Sequence, residues 1–309
     1  MNTNDTELTE FTEYLSAKGY SANSVEGSLK INRIFTAWMQ QQNIEPGLLN
    51  YNDITAYIQL CKQRNIKTVT LQHILVNVKH YLNYLTEAGI LPHNPALALK
   101  IKNAKRKTLY NVLSPEELET IYKSYKTEIK KHLVAPPQLL NQLARKRNKV
   151  VLGLLIYQGI AADDIKNIEL QHLELREGKI TIPGKRRGNE RTLKLEAHQI
   201  FDLYDYINDT RKAIQEATGK QGKQLFLSTG SSNNVANLLQ KLIAELRSLN
   251  PQLKNLDQLR ASVISNWLKL HNKRKAQYMA GHRYVSSTEA YEANNIEELQ
   301  EDLEKYYPV

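Results

Sequence analysis

The chain has 309 residues and a mass of 35.5 kDa, enough for about two domains of the usual ~100–200 residues. Its 42 Lys and Arg against 32 Asp and Glu leave a net charge of +10. A single cysteine, Cys61, excludes a disulfide framework and a cysteine-based metal cluster within one chain. The longest apolar stretch, Val150 to Tyr157, is far shorter than the ~20 residues that span a bilayer.

The polar, acidic start MNTNDTELTE resembles neither a secretory signal nor a transit peptide, so we expect a cytoplasmic protein with no membrane partner. The pI near 9.4 favours a nucleic-acid partner, because Lys and Arg displace the counterions of a polyanion. Solubility through self-repulsion explains the same charge equally simply. The last eighteen residues are acidic and unsuited to DNA contact. Their acidic residues are Glu292, Glu297, Glu298, Glu301, Asp302 and Glu304.

Apolar residues at helical spacing predict a four-helix domain over residues 1–99. In the first helix Leu8, Phe11 and Leu15 form one stripe, and Gly19 follows the last turn. The other three helices are predicted over Asn23–Met39, Tyr51–Gln63 and Leu71–Ala88.

A basic stretch flanked by prolines follows this bundle, and we predict an interdomain linker over residues 100–110. Five of the eight residues from 100 to 107 are basic: Lys100, Lys102, Lys105, Arg106 and Lys107. The stretch either follows a DNA backbone or is an ordinary solvated linker, and its own sequence favours neither.

Residues 111–309 predict a second domain, mainly helical with a small antiparallel sheet. Ser114, Pro115 and Glu117 form a capping box with proline at the first helical position. The predicted strands are Leu173–Leu175, Ile180–Ile182 and Thr192–Leu195. The further predicted helices are Arg147–Gln158, His198–Thr218, Ser232–Leu249, Leu259–Leu270, Lys273–Met279 and Ile296–Tyr306.

Metal-binding patterns are weak. The eight histidines are scattered and show no H-E-x-x-H spacing. The Asp163-Asp164 pair suits either magnesium or, more commonly, a helix N-terminus. We therefore predict neither a metal site nor a cofactor.

Three residues near the C-terminus suit chemistry on one phosphate. The planar fork of Arg260 matches non-bridging oxygens, and His282 can donate to them or manage a proton. Tyr291 can attack phosphorus and form a covalent ester. Each residue alone is more simply a packing residue, since the chain has seventeen tyrosines and eight histidines.

In order and spacing these residues resemble the tyrosine recombinases, the phage-integrase family. The run Met279-Ala280-Gly281-His282 is similar to its leucine-glycine-histidine motif, and Tyr291 stands nine residues after His282, the family spacing. Leu256 to Arg260 resembles its His-x-x-Arg box, and Ile182 to Lys185 its lysine hairpin. The landmarks of its helical core-binding domain are Tyr20 to Val25 and Asn94-Pro95-Ala96.

The resemblance implies a fold and a mechanism. A SAM-like core-binding domain and a catalytic domain clamp double-stranded DNA. Tyr291 attacks a phosphate and leaves a 3′-phosphotyrosyl link, Lys185 protonates the departing 5′ oxygen, and Arg260 and His282 stabilise the phosphorane. Two rounds of exchange through a Holliday junction give site-specific recombination. The linker lysines and arginines, with Arg186 and Arg187 of the hairpin, are the expected DNA contacts.

The sequence departs from the family pattern at two positions. Ala161 replaces the first catalytic arginine, and Asp257 replaces the histidine of the box. Three accounts stay open. Another basic residue replaces the arginine, with Arg145, Arg147, Arg186, Arg187 and Arg191 as the candidates. Asp257 orients His282 or Arg260 instead of touching DNA. Alternatively, catalysis is impaired and the chain binds DNA without cutting it.

The favoured function is an integrase of a phage or other mobile element, acting in the cytoplasm at the nucleoid. A recombinase-like DNA-binding protein is the first alternative, and a type IB topoisomerase-like enzyme is the more distant one. The implied partners are double-stranded DNA, three further copies of the chain on synapsed sites, and accessory DNA-bending proteins. In the tail, Ile296, Leu299, Leu303 and Tyr306 form an apolar stripe that packs on a neighbouring copy or on its own domain.

Overall fold

The computed structural model describes residues 3–102, 110–127, 136–186, 188–231 and 235–292, with the side chains of 3–6, 136–138 and 236 left out. The chain divides into two compact units, Met1–Thr108 and Leu109–Val309. None of the helices within the described ranges is both long and apolar enough to cross a membrane.

The first unit is built from four helices, as the apolar periodicity predicts. They are α1 (Thr3–Ala17), α2 (Ala22–Gln41), α3 (Tyr51–Gln63) and α4 (Thr68–Glu87). Gly19 follows α1 with a φ of +78°, a conformation that glycine adopts without a steric penalty. The buried aromatic rings of Phe11, Phe35, Tyr57 and Tyr81 lie in one core between the helices.

The second unit begins with α5 (Pro115–Ser124), whose N-terminus has the predicted capping box of Ser114 and Glu117. The other helices are α6 (Pro136–Tyr157), α7 (Ala162–Ile165), α8 (Ala197–Asp205), α9 (Arg211–Thr218), α10 (Val235–Leu249), α11 (Leu256–Leu270) and α12 (Lys273–Ala280). A π-helical turn at Tyr206–Thr210 joins α8 to α9. Residues 285–292 form one more helical segment, which carries Tyr291.

Three short strands form the predicted antiparallel sheet: β1 (Leu173–Glu174), β2 (Lys179–Ile182) and β3 (Arg191–Lys194). β2 pairs with β3 in a register that places Ile182 opposite Arg191. The buried residues Ile180, Ile182 and Leu193 alternate with more exposed ones, so one face of the sheet joins the core. The loop between β2 and β3 is therefore a hairpin, as expected.

Three helices begin at least three residues before their predicted starts, and the first of them is α4, which begins at Thr68 rather than Leu71. α6 begins at Pro136 rather than Arg147, because its first half is amphipathic and lacks the all-round apolar character of its second half. α11 begins at Leu256 rather than Leu259, because Asn255 caps it by accepting the backbone N–H of Gln258 at 2.8 Å. Arg260 consequently lies in the second turn of α11.

Helix α6 runs through the core of the second unit. Its residues Val150 to Ile156 are almost fully buried in the core that also contains Leu259 and Ile264 of α11, a helix that contacts α6. Because α6 and α11 pack together, the loop after α6 lies beside Arg260. This packing positions the candidate site.

Candidate active site

Arg260 is held by two backbone carbonyls, one in the loop after α6 and one at the end of α12. Its Nη1 donates to the carbonyl of Gly159, and its Nη2 donates to the carbonyl of Ala280 at 2.7 Å. Gly159 has a φ of +53°, and a Cβ on it would come within 2.9 Å of Val263. Glycine is therefore needed to bring this carbonyl to the arginine. Burial lowers the pKa of Arg260, while the nearby Tyr291 phenol and Asp164 carboxylate oppose that shift.

His282 lies between Arg260 and Thr288. Its Nε2 is 3.3 Å from Arg260 Nη2, and its Nδ1 is 2.9 Å from Thr288 Oγ1. A guanidinium only donates, so Nε2 accepts here and Nδ1 carries the proton. Burial, with the charges of Arg260 and Arg191, lowers the pKa of His282 to about 4. The imidazole is consequently neutral at pH 7.

Tyr291 is brought to the same place by the helical segment 285–292. Its ring stacks on the ring of His282, with centroids 5.6 Å apart and planes 13° from parallel. Its backbone carbonyl accepts from Ser265 Oγ of α11 at 3.4 Å. Arg260, His282 and Tyr291 therefore form one cluster, although the first and the last are 31 positions apart in the sequence.

Lys185 lies at the tip of the hairpin between β2 and β3. Its backbone pairs with Gly188 through bonds of 2.8 and 2.9 Å, which close a tight turn. The turn is joined to the histidine loop, since Asn189 N–H donates to the carbonyl of Gly281 at 3.0 Å. The Lys185 ammonium lies 2.8 Å from Asp164 Oδ1. The fold thus brings the lysine hairpin to the other predicted residues.

Asp164 belongs to the site, which the sequence interpretation missed. Its carboxylate is buried at the start of α7 and faces both Lys185 and Arg191, whose Nη2 lies 2.9 Å from Oδ2. These two cations hold the pKa of Asp164 below its ordinary value although burial alone would raise it. Asp163 instead points outward and pairs with Lys166 at 2.9 Å. The two carboxylates therefore have separate partners.

Ala161 and Asp257, the two departures from the family pattern, lie in different helices and have different contacts. Ala161 is the N-terminal capping residue of α7, and its backbone N–H donates to Asp164 at 3.3 Å. Asp257 is exposed in the first turn of α11. Within the described residues it contacts neither Arg260 nor His282 by a hydrogen bond, so the orienting contacts come from Gly159, Ala280 and Thr288.

The described candidates for the missing arginine lie in different places relative to the cluster. Arg147 is buried far along α6, where it donates to the carbonyl of Leu227 at 2.8 Å, and Arg145 donates to the carbonyl of Lys126. Neither is brought to the cluster. Arg186 is exposed at the hairpin tip, and Arg191 is buried inside the cluster.

Among the expected DNA contacts, Lys100 and Lys102 are exposed at the end of the first unit. Lys105, Arg106, Lys107 and Arg187 lie outside the described residues, as does the tail from Ile296 to Tyr306. Across the ranges that the structure describes, no group of three or more metal-ligating side chains converges.

Comparison with known proteins identifies the family of this chain. Residues 111–298 match the model of the phage integrase family. The tyrosine recombinase XerC of Lactobacillus delbrueckii subsp. bulgaricus is 21% identical over 97% of this chain and 98% of its own length.

Solved structures show the same fold. XerH site-specific recombinase bound to palindromic difH substrate, a post-cleavage complex, has a TM-score of 0.67 at 14% identity and covers 97% of this chain and 95% of its own. A lambda integrase tetramer bound to a Holliday junction has a TM-score of 0.60 at 14% identity, covering 92% and 76%. The mainly helical fold, the small sheet and the family match agree, and the chain belongs to the phage integrase family of tyrosine recombinases.

Proposed function

We propose that this chain is a site-specific DNA recombinase that cuts and rejoins DNA through a tyrosine ester. The observation that carries the proposal is the stacking of Tyr291 on His282 while His282 accepts from Arg260. A nucleophile, a neutral imidazole and a guanidinium thus surround one small region. Lys185 approaches the same region from the hairpin.

In this mechanism Tyr291 Oη attacks a DNA phosphorus atom and loses its proton to solvent. The bond from phosphorus to the 5′ oxygen breaks, and Lys185 gives that oxygen a proton, so the products are a 3′-phosphotyrosine and a 5′-hydroxyl. Arg260 donates to the non-bridging oxygens as charge develops on them. Attack by the 5′-hydroxyl of a second strand reverses the step and completes one strand exchange.

The working assembly is four chains on two synapsed DNA sites, joined through a Holliday junction. The similar fold of the lambda integrase tetramer supports this assembly. The first unit, the segment 100–110 and the hairpin tip supply the phosphate contacts, with Lys100, Lys102 and Arg186 the described members. Accessory DNA-bending proteins help to bring the sites together.

Covalent trapping tests the proposal. Nicked duplexes from the DNA that flanks the gene lose the short 5′ strand after cleavage, so an adduct accumulates. We expect the wild type to form a denaturant-resistant adduct, and Tyr291→Phe to form none because it lacks the attacking oxygen. Tyr284→Phe is the matched control, because Tyr284 is exposed seven residues earlier, and it should retain the adduct.

An adduct that persists in Tyr291→Phe would assign the nucleophile elsewhere. Tight binding with no adduct from the wild type would favour the second candidate, a recombinase-like protein that binds DNA without cutting it. Ala161 and Asp257 are the specific observations behind that alternative, because neither side chain carries a donor for the phosphate.

A further inference from the structure

Arg191 lies beside the position of the absent arginine. It is the first residue of β3, and its side chain is only 2% exposed. Its Nη2 donates to Asp164 Oδ2, the same oxygen that accepts the backbone N–H of Ala161. Two donors that share one acceptor atom lie close together. The Arg191 guanidinium therefore stands next to the backbone of Ala161.

The other side of this guanidinium faces the histidine loop. A Cβ built on Gly281 would lie 2.3 Å from Arg191 Nη1 and 2.7 Å from its Cζ. The guanidinium thus packs directly against the backbone that precedes His282. It also pairs with the Asp164 carboxylate, which in turn pairs with Lys185. Arg191 consequently connects α7, the lysine hairpin and the histidine loop.

This cluster contains more positively than negatively charged side chains. The Asp164 carboxylate faces two cations, Lys185 and Arg191, and Arg260 adds a third without a carboxylate bonded to it in the described residues. The Nε of Arg191 is buried with no hydrogen-bond partner in the described part of the chain. The cluster therefore keeps excess positive charge beneath the position where the phosphate would bind.

We propose that Arg191 supplies, from beneath the Gly281–His282 loop, the guanidinium charge that the family pattern places at position 161. This inference rests on the proposed recombinase function. Arg191 acts as a positioning residue: it is buried, so it contributes charge and holds the lysine hairpin and histidine loop together rather than contacting DNA. A site with Ala161 keeps a second guanidinium in this way.

The test uses the full chain with Arg191→Met, Arg191→Lys and the double variant Ala161→Arg/Arg191→Met. Arg211→Met is the matched control, because Arg211 is similarly buried but donates to the carbonyls of Gly222, Gln224 and Leu225, which follow α9. Two quantities are measured: the single-turnover rate of adduct formation, and the pKa of His282 by NMR titration.

We expect Arg191→Met to slow adduct formation about 100-fold, the order of loss for one preorganised donor. It should also raise the pKa of His282, because it removes a like charge while Arg260 remains. Arg191→Lys should retain most of the wild-type rate. The double variant should form the adduct at least about ten times faster than Arg191→Met. Arg211→Met should lower only the melting temperature.

An unchanged pKa of His282 in Arg191→Met would overturn the proposal, as would an unchanged rate in folded protein. If Arg191→Met does not fold, Ala161→Arg alone decides. If Ala161→Arg forms the adduct ten or more times faster than the wild type, the wild-type site lacks this charge and the proposal fails. We expect the rate to rise by at most about twofold. If the wild type forms no adduct, the proposed function fails, and the His282 titration still decides the inference about Arg191.

Discussion

Gly281 and Gly219 have nearly the same backbone conformation in different surroundings. Their φ angles are +67° and +68°, values that side-chain-bearing residues seldom adopt. A Cβ on Gly219 meets nothing within 4 Å, whereas a Cβ on Gly281 would collide with Arg191 at 2.3 Å. The pair therefore separates the backbone penalty from the contact with the arginine.

We predict that Gly219→Ala lowers the free energy of unfolding by about 1 kcal/mol through the backbone conformation alone. Gly281→Ala should cost about 1–3 kcal/mol more, because the added methyl group displaces a packed guanidinium. It should also slow adduct formation, which Gly219→Ala should leave unchanged. Urea unfolding of both variants measures the difference, and equal losses would mean that Arg191 yields without cost.

Asp164 illustrates why single residues of this site escape local sequence patterns. Its position near a helix N-terminus can be predicted from the sequence, and its side chain does accept the backbone N–H of Ala161. Its partners Lys185 and Arg191 come from the hairpin, and no spacing rule connects a helix start to a distant hairpin. Only the tertiary fold, which places the start of α7 beside the hairpin, brings these three charges together.

At the scale of elements, the start of α5, which its capping box makes predictable from sequence, helps to hold α11 in place. Its capping box holds Ser114, and the backbone of Leu113 is bonded at both ends to α11: its N–H donates to Ser262 Oγ at 2.9 Å, and its carbonyl accepts from Asn266 at 3.0 Å. The start of α5 thus helps to hold the helix that carries Arg260.

Ser114→Ala should lower the free energy of unfolding by about 1 kcal/mol, the usual cost of losing such a cap. Ser124→Ala, at the exposed end of the same helix, is the control and should change it by less than about 0.5 kcal/mol. Chemical denaturation of the full chain provides both values. A loss of similar size in the two variants would remove the cap as the cause.

On the scale of the whole molecule, the excess of +10 charges predicts salt-dependent DNA binding. Replacing both Lys100 and Lys102 by Gln removes two exposed cations from the end of the first unit. If both contact phosphates, the slope of log affinity against log salt should shrink by about 1.8. Titrations at several salt concentrations give this slope.

Lys30→Gln is the control for that measurement. Lys30 is also exposed in the first unit, but Glu26 lies 2.7 Å from its ammonium and already neutralises it. Its replacement should leave the slope unchanged. Equal slopes for the wild type and the Lys100/Lys102 variant would exclude these two lysines from the DNA contacts.

The presence of the helices, the hairpin and the family could be predicted from the sequence. Each of these depends on local spacing, such as the apolar stripe of α1 or the interval between His282 and Tyr291. It left open which basic residue accompanies Ala161, because five arginines satisfied the composition equally. The tertiary structure distinguishes the four that it describes: Arg147 lies in α6 away from the site, and the register of β3 buries Arg191 beneath Gly281. Contacts between distant segments depend on packing, which local periodicity does not encode.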